Sequence, residues 1–387
     1  MKANTVSKTQ YLQECNRCLH CAKPICRASC PIGNDIPSFL NFVREGKPSD
    51  AVELIGHPFG EICGYVCPHE HTCQGGCVLS NRGQALQMGQ IERAVFAEHP
   101  YRVTRKGDKL VGRKIAVVGG GVAGITFAAK TYEQGADVTI FERDELLSTL
   151  KLIPSFRLPR EALLRIEREC DGKFTVVKKA VTSSDFAELQ RSYDIVYVAI
   201  GASNLYGLGI AGDSLATPYD VFLKNPTHSG KIVVIGGGNT AMDCARLAKR
   251  QGLDVTVAYR RQRADMPAFD KEVNDAENDG VKFLYNVAPV KLVKEDKLHL
   301  TLAKTISEGR GKLTVTSDTS EMECDTVVSA LGSAFDNSIY SSVTEDSNAK
   351  HPLSNVYVGG DAVGGKTVAE AVADAIQAAQ EVAKLHF

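Results

Sequence analysis

The chain has 387 residues, 43% of them hydrophobic and 24% charged, with a formal net charge of −1. That length suffices for two or three domains, and the balanced charge offers no global basic field to recruit nucleic acid or a membrane surface. No apolar run is long enough to cross a bilayer, and the opening MKANTVSKTQYLQE lacks the apolar core of a secretory signal, so a cytoplasmic protein is expected.

The first region is dense in cysteine. Nine of the twelve cysteines precede residue 78: Cys15, Cys18, Cys21, Cys26, Cys30, Cys63, Cys67, Cys73 and Cys77. In a reducing compartment such a patch binds metal more readily than it forms disulfides. Cys170, Cys244 and Cys324 are scattered and read as buried packing thiols. Between the cysteine groups the pattern predicts helices. One starts near NDIPSF, capped by Asn34 or Asp35 with Pro37 in its first turn, and a second starts near KPSDAVEL with Pro48 and Ser49 placed the same way. A third, over 86–98, carries Met88, Ile91, Val95 and Phe96 at helical spacing. The polar, basic YRVTRKGDKLVGRK that follows reads as a linker.

Next comes KIAVVGGGVAGITFAAKTYEQGADVTIFER, predicting a buried parallel strand over 115–118, a glycine turn, a helix through Ala129 and a second strand over 137–141. Residues 231–261, KIVVIGGGNTAMDCARLAKRQGLDVTVAYRR, repeat the plan, and DIVYVAIGA and DTVVSALGS close the two units alike. This is an internal duplication of a nucleotide-binding half. In the first turn Gly119 allows the tight bend, Gly121 lets the backbone approach a pyrophosphate, and Gly124 lets the helix pack on the strand. The helix start then offers free N–H groups to the phosphates. Glu142 ends the next strand, where an acid can hold a ribose hydroxyl.

The second turn has Gly236 and Gly238, with Asn239 and Thr240 opening the helix and Ala241 in the third glycine's place. Where the first unit has Glu142, the second has Arg260 and Arg261. Guanidinium groups can clamp a 2′-phosphate that a carboxylate would repel, so this cradle should prefer NADPH to NADH. The first cradle suits a ribose with free hydroxyls, as in FAD. Near the C-terminus a strand leads to Gly359, Gly360 and Asp361 and then to an alanine-rich helix from about Thr367. Asp361 can hold a ribityl hydroxyl, and the helix start can stabilise negative charge on a reduced flavin ring.

From Cys18 the cysteines run C-x2-C-x4-C-x3-C-P, and the second group runs C-x3-C-P-x4-C-x3-C from Cys63. Such irregular spacing, with proline after a cysteine and redox domains alongside, favours iron–sulfur clusters. The short arms of Cys15, Cys18 and Cys21 keep zinc open. Two 4Fe–4S clusters need eight ligands, and counting does not say which of the nine thiols stand idle.

Together, RCLHC…PICRASCPIGNDIPSFL, ICGYVCPHEHTCQGGC, both glycine turns, YRRQRADMPA and VGGDAVGG resemble the small (beta) subunit of NADPH-dependent glutamate synthase, and are similar to the N-terminal half of dihydropyrimidine dehydrogenase. The resemblance covers nearly the whole chain. It implies an α/β fold of two Rossmann-like dinucleotide-binding domains, of the adrenodoxin/glutathione reductase type, behind an α-helical iron–sulfur domain. The implied domains are 1–112 for two 4Fe–4S clusters, 113–202 with 334–387 for FAD, and 203–333 for NADPH. It further implies Cys18, Cys21, Cys26 and Cys77 as ligands of one cluster, and Cys30, Cys67, Cys73 and Glu92 as ligands of the other, leaving Cys15 and Cys63 spare. Arg157 lies in Phe156-Arg157-Leu158-Pro159, which matches a run of the family, and the resemblance implies a place for it on the flavin side. One departure stands out: Leu146 and Leu147 replace a glycine pair of the family, and Leu152 a later glycine. Glycines there let the backbone approach the flavin, so this loop should take another path or alter the ring pocket.

The expected function is electron transfer from NADPH through FAD and the clusters to a partner, first of all a glutamate synthase large subunit, in a hetero-oligomer. A dihydropyrimidine dehydrogenase subunit or an NADPH:ferredoxin-type transhydrogenase subunit would differ only in the acceptor, a larger catalytic subunit or a ferredoxin-like protein. The rival from another class is a redox-inactive zinc scaffold with one cradle empty. The electron-transfer scheme requires no protein nucleophile or acid–base pair.

Overall fold

A computed structural model describes residues 7–225, 227–307, 311–336, 338–341, 353–365 and 367–385; part of the opening segment read above for a signal lies outside them. The chain divides into two compact units. One comprises Met1–Lys151, Ser155–Ala202 and Phe335–Phe387, the other Leu152–Pro154 and Ser203–Ala334.

The first unit begins with short helices, as the cysteine-rich sequence implies. Ile36–Arg44 starts where the side chain of Asp35 accepts the Ser38 amide at 3.3 Å, with proline in the first turn. It buries Ile36, Phe39, Leu40 and Val43 along one face. The next helix, Pro48–Ile55, is entered through Lys47 without a side-chain cap, so Ser49 does not serve as one. Met88–Glu98 buries Ile91, Val95 and Phe96, as its spacing predicts. Other helices in this region have no counterpart in the sequence reading. Lys8–Cys15 is opened by a Ser7–Gln10 capping box, and Gly60–Val66 carries Cys63. The latter packs so closely on Met88–Glu98 that a Cβ at Gly64 would lie 2.7 Å from the Gly89 carbonyl oxygen. The stretch read as a linker is packed: Tyr101, Val103 and Leu110 are buried, and the Tyr101 hydroxyl donates to Glu133 at 2.5 Å.

Behind these helices stands a five-stranded parallel sheet ordered Val356–Val358, Ile195–Val198, Lys114–Val118, Asp137–Glu142, Thr175–Lys178. Its central strands are continuous apolar runs because helices cover both faces. The helix Val122–Glu133 follows the first strand and packs on the C-terminal helix Val368–Val382. Arg165, on the helix Arg160–Cys170, grips Glu61 through two hydrogen bonds of 2.7 and 2.5 Å, joining the small helices to the sheet region.

The second unit repeats the arrangement. Lys231–Ile235 lies between Thr326–Ser329 and Asp254–Tyr259, all parallel, with the helix Asn239–Arg250 after the first of them. The duplication seen in sequence therefore holds in strand pairing. A three-stranded antiparallel sheet, Val287–Lys294, Leu298–Ser307 and Leu313–Cys324, is added to this unit and was not read from the sequence. Cys170, Cys244 and Cys324 are buried packing residues, as expected.

The two glycine turns differ at their third position for a visible reason. A Cβ added at Gly124 would lie 1.9 Å from the Gly119 carbonyl oxygen, whereas the second turn accommodates Ala241. Gly124→Ala should therefore force the helix off its strand and cost about 1–3 kcal/mol of stability. Denaturant unfolding of the variant checks this, and unchanged stability would contradict the close approach.

Candidate cofactor sites

Both glycine turns place an uncapped helix start beside an open backbone. Gly121 sits at the N-cap of Val122–Glu133 and Gly238 at that of Asn239–Arg250, neither with a side-chain cap. A Cβ at either glycine would meet nothing within 4 Å. The first-turn amides are thus left for an anion, as a bound diphosphate requires. Gly119 at φ +108° and Gly236 at φ +147° make the sharp bends. These features fit a dinucleotide at each turn.

Around the first turn, Glu142 accepts the Gly120 amide at 2.5 Å and the Asp144 amide at 2.8 Å. Its carboxylate is thereby held at the strand end, facing the turn. The departing loop keeps a glycine-like backbone despite its leucines: Leu147 is fully buried at φ +59°, and its amide donates to the Gly120 carbonyl at 2.9 Å. A leucine in that conformation costs roughly 1–2 kcal/mol, which its burial offsets. The Leu146 side chain lies against Gly120. Leu147 thus takes the left-handed conformation that a glycine would adopt freely, and Leu146 and Leu147 add apolar bulk beside the turn. Arg157 is half-buried beside the fully buried Leu158.

Asp361 lies in the turn Gly360–Val363, just before the C-terminal helix, whose N-cap Thr367 accepts the Glu370 amide at 3.2 Å. Asp374, from the helix itself, accepts the Gly360 amide at 3.0 Å and so fixes the turn. Asp361 is itself exposed on this turn, but the chain packed around it, with a smaller contribution from Glu370, pushes its carboxyl up to about 6. A raised carboxyl binds its proton more tightly in the folded chain, so folding stability falls as pH rises from the ordinary carboxylate range toward that value. Asp361→Asn should therefore be more stable than the parent at neutral pH, with the gap closing in acid. Thermal unfolding against pH reads this directly, and a gap independent of pH would refute it.

In the second unit the Asn239 side chain is engaged by the Phe269 amide at 2.9 Å, so it holds the following loop, while Thr240 opens the helix beside it. Arg260 is exposed at the end of Asp254–Tyr259, with no ion pair to a described carboxylate, and Arg261 is half-buried. Their backbone is clamped from the antiparallel sheet region. The Thr305 hydroxyl donates to the Arg260 carbonyl at 2.8 Å, and the Asn286 amide donates to that of Arg261 at 3.2 Å. These anchors, like Asp374, carry no sequence motif.

The cysteines separate into two electrostatic neighbourhoods. Cys18 is pushed up chiefly by burial and also by Cys21 and Cys77, and Cys26, at about 11, by burial and then Cys77, Cys18 and Cys21. Cys67, at about 12, and Cys73 are pushed up by burial first and then by a different set, Glu92 and Cys30 among them. Cys63, wholly buried on its helix, faces this second set: Glu92, Cys67, Cys30 and Cys73. Burial raises Cys30, opposed by backbone amides of Asn34, Ile32 and Gly33 aimed at its sulfur. Such amides suit a bound thiolate. Glu92 is 6% exposed, with its carboxylate 3.7 Å from His69 Nε2. Cys15, pushed up to about 12 by burial, is packed on the first helix.

Thiolates on one zinc ion would stand about 3.8 Å apart, given bonds of ~2.3 Å. Among the described residues the ligand atoms of Glu295, Asp296 and His299 come within 4.8 Å of one another, and no cysteine trio does.

Comparisons with known proteins agree with this geometry. Residues 2–102 match the family described as dihydropyrimidine dehydrogenase domain II, 4Fe-4S cluster, and residues 113–380 match the pyridine nucleotide-disulphide oxidoreductase family. Among curated relatives, the glutamate synthase [NADPH] small chain of Escherichia coli is 32% identical, over 73% of this chain and 66% of its own length. That of Halomonas elongata is 31% identical, over 82% and 75%. The NADP(+)-dependent formate dehydrogenase subunit beta of Moorella thermoacetica is 31% identical over 92% of this chain, which spans 59% of that relative. Thioredoxin reductase of Lactococcus lactis, 17% identical, superposes with a TM-score of 0.56 over 70% of this chain and 97% of its own. An oxidoreductase with an iron–sulfur domain ahead of paired Rossmann-like sheets, the chain belongs to the pyridine nucleotide-disulphide oxidoreductase family and is a homologue of the glutamate synthase small chains.

Proposed function

We propose that this chain takes electrons from NADPH and delivers them singly to a partner protein, with FAD at the first glycine turn and two 4Fe–4S clusters among the cysteines. The domain limits that go with this are 1–112 for the clusters, 113–202 with 334–387 for FAD, and 203–333 for NADPH. The observation that carries the reading is the co-occurrence, in one chain, of two uncapped glycine turns with opposite charge at the ribose position and two separate thiol neighbourhoods.

A bound flavin supplies the conversion between two-electron and one-electron transfer. The chain's own residues do the holding. Gly119, Gly121 and Gly124 open the first cradle, where Glu142 accepts from the adenosine ribose. Arg157, Asp361 and the Thr367 helix start lie on the flavin side. Gly236, Gly238, Asn239 and Thr240 form the second cradle, and Arg260 with Arg261 clamps the 2′-phosphate. Cys18, Cys21, Cys26 and Cys77 hold one cluster. Cys30, Cys67, Cys73 and Glu92 hold the other.

The partner is a larger subunit, first of all a glutamate synthase large chain. The relative named as a formate dehydrogenase subunit supports a second reading, in which the same electron-transfer module serves another acceptor. Anaerobic purification followed by absorption spectroscopy and iron and sulfide analysis tests the function. Flavin bands with a broad iron–sulfur shoulder, both bleached by NADPH, are expected. A colourless protein that takes up neither flavin nor iron and sulfide, or a zinc protein, would overturn it.

A further inference from the structure

Between Cys67 and Cys73 the chain makes the short turn His69–His71, and His69 is its hub. The His69 amide donates to the Cys67 carbonyl at 2.9 Å. The His69 carbonyl accepts the amides of Thr72, Gln74 and Gly75 at 3.2, 2.9 and 3.1 Å. The side chain reaches the helix Met88–Glu98 at Gly89, where an added Cβ would lie 2.5 Å from His69 Cε1 and 2.9 Å from its Nε2. The ring edge that carries Nε2 is therefore wedged against the helix, on the face that Gly89 shares with Glu92. His69 is 9% exposed, and its Nε2 is buried without a hydrogen-bond partner. The Glu92 carboxylate stands 3.7 Å away, just beyond hydrogen-bond reach, and no lysine or arginine pairs with it among the described residues.

Two buried polar groups thus face each other unmet, which a finished fold rarely leaves. The same carboxylate is close enough to Cys30, Cys67 and Cys73 to push up all three thiols. A carboxylate that gives one oxygen to iron keeps the other for a donor, and ligand carboxylates are commonly held this way. We infer that His69 is a positioning residue of the second cluster, whose Nε2–H donates to the Glu92 oxygen that iron does not take. The inference rests on the reading of Glu92 as a ligand and adds what orients it. Through His69, the turn that brings Cys67 and Cys73 also fixes the ligand from the helix. A donor on that carboxylate draws electron density from it and so favours the reduced, more negative cluster. Without the donor the second cluster should be harder to reduce and quicker to lose its iron.

The test uses anaerobically prepared holoprotein and follows each cluster's reduction by low-temperature electron paramagnetic resonance at set potentials. His69→Leu, which has no donor, should shift the second cluster's reduction equilibrium about tenfold or more toward the oxidised form, about 59 mV for one electron. The first cluster's equilibrium should stay in place. Release of iron to a chelator from the second cluster should be roughly tenfold faster or more. His69→Gln, whose side-chain amide brings an N–H to a similar position, should restore both properties. His69→Met, donor-free and more adaptable in packing, repeats the measurement if the leucine variant does not fold. In Glu92→Cys, where a thiolate takes the carboxylate's place, adding His69→Leu should cause no further shift. An unchanged second cluster in the donor-free variants, an equal shift in His69→Gln, an equal shift of the first cluster, or a further shift in the Glu92→Cys background would each overturn the role of His69. So would loss of the second cluster in both His69→Leu and His69→Gln with retention in Glu92→Ala, because His69 would then be a ligand itself. These outcomes leave the electron-transfer reading standing, whereas a parent protein without iron and sulfide would overturn that reading and this role together.

Discussion

Replacing Arg260 and Arg261 together by glutamine should weaken NADPH binding by roughly tenfold to a hundredfold and leave NADH binding nearly unchanged. The difference follows from where the extra charge of NADPH sits. A 2′-phosphate accepts charge-assisted hydrogen bonds worth about 1.5–3 kcal/mol each in protected sites. Arg260 is exposed, so screening reduces its share. The pair together is therefore assigned about 1.4–2.8 kcal/mol, which is the stated range of affinity. NADH has a hydroxyl in place of that phosphate and loses little. Titration of the oxidised protein with each nucleotide measures both constants, and equal losses would refute the assignment. The NADPH constant of the parent should also weaken with salt more than that of the double variant.

The arginine pair shows what the sequence could and could not reveal. Its place was legible, because a cation replaces the acid at the end of the second strand of a repeat. Its support was not. Thr305 and Asn286 hold the arginine backbone from the antiparallel sheet region, through pairings some tens of residues away. That sheet has a readable period in Leu298, Leu300 and Leu302, all buried, but its last strand, Leu313–Cys324, is mostly exposed and offers no such alternation. The duplicated strand–turn–helix plan was legible because each turn must bend and approach an anion within a few residues. The helix Gly60–Val66 was not. It is short, contains two glycines and has no side-chain cap, so tertiary packing against Met88–Glu98 decides it. The apparent linker misled for the opposite reason. Its charges dominate the composition, while Tyr101, Val103 and Leu110 turn inward. Glu92 as a ligand came from family resemblance. Its burial beside the second thiol group supplies a physical reason that sequence could not.

Cys30→Ala should remove about half of the iron while NADPH still bleaches the flavin, because the first thiol group and both glycine turns are untouched. The second neighbourhood offers five candidates for four positions: Cys30, Cys63, Cys67, Cys73 and Glu92. Cys30 has three backbone amides directed at its sulfur, the arrangement that stabilises a thiolate. Cys63 is wholly buried within the helix Gly60–Val66, and the family resemblance leaves it spare. Cys63→Ala should therefore keep its full iron content, whereas Glu92→Ala should lose the same half as Cys30→Ala. Iron and sulfide analysis of the three anaerobically prepared variants, with the low-temperature electron paramagnetic resonance signal of the reduced proteins, separates the cases. If Cys63→Ala lost the cluster and Glu92→Ala kept it, the fourth ligand would be a thiolate, and the carboxylate beside His69 would be a structural acid. If Cys30→Ala kept all of its iron, the division of the cysteines into two sets of ligands would be wrong.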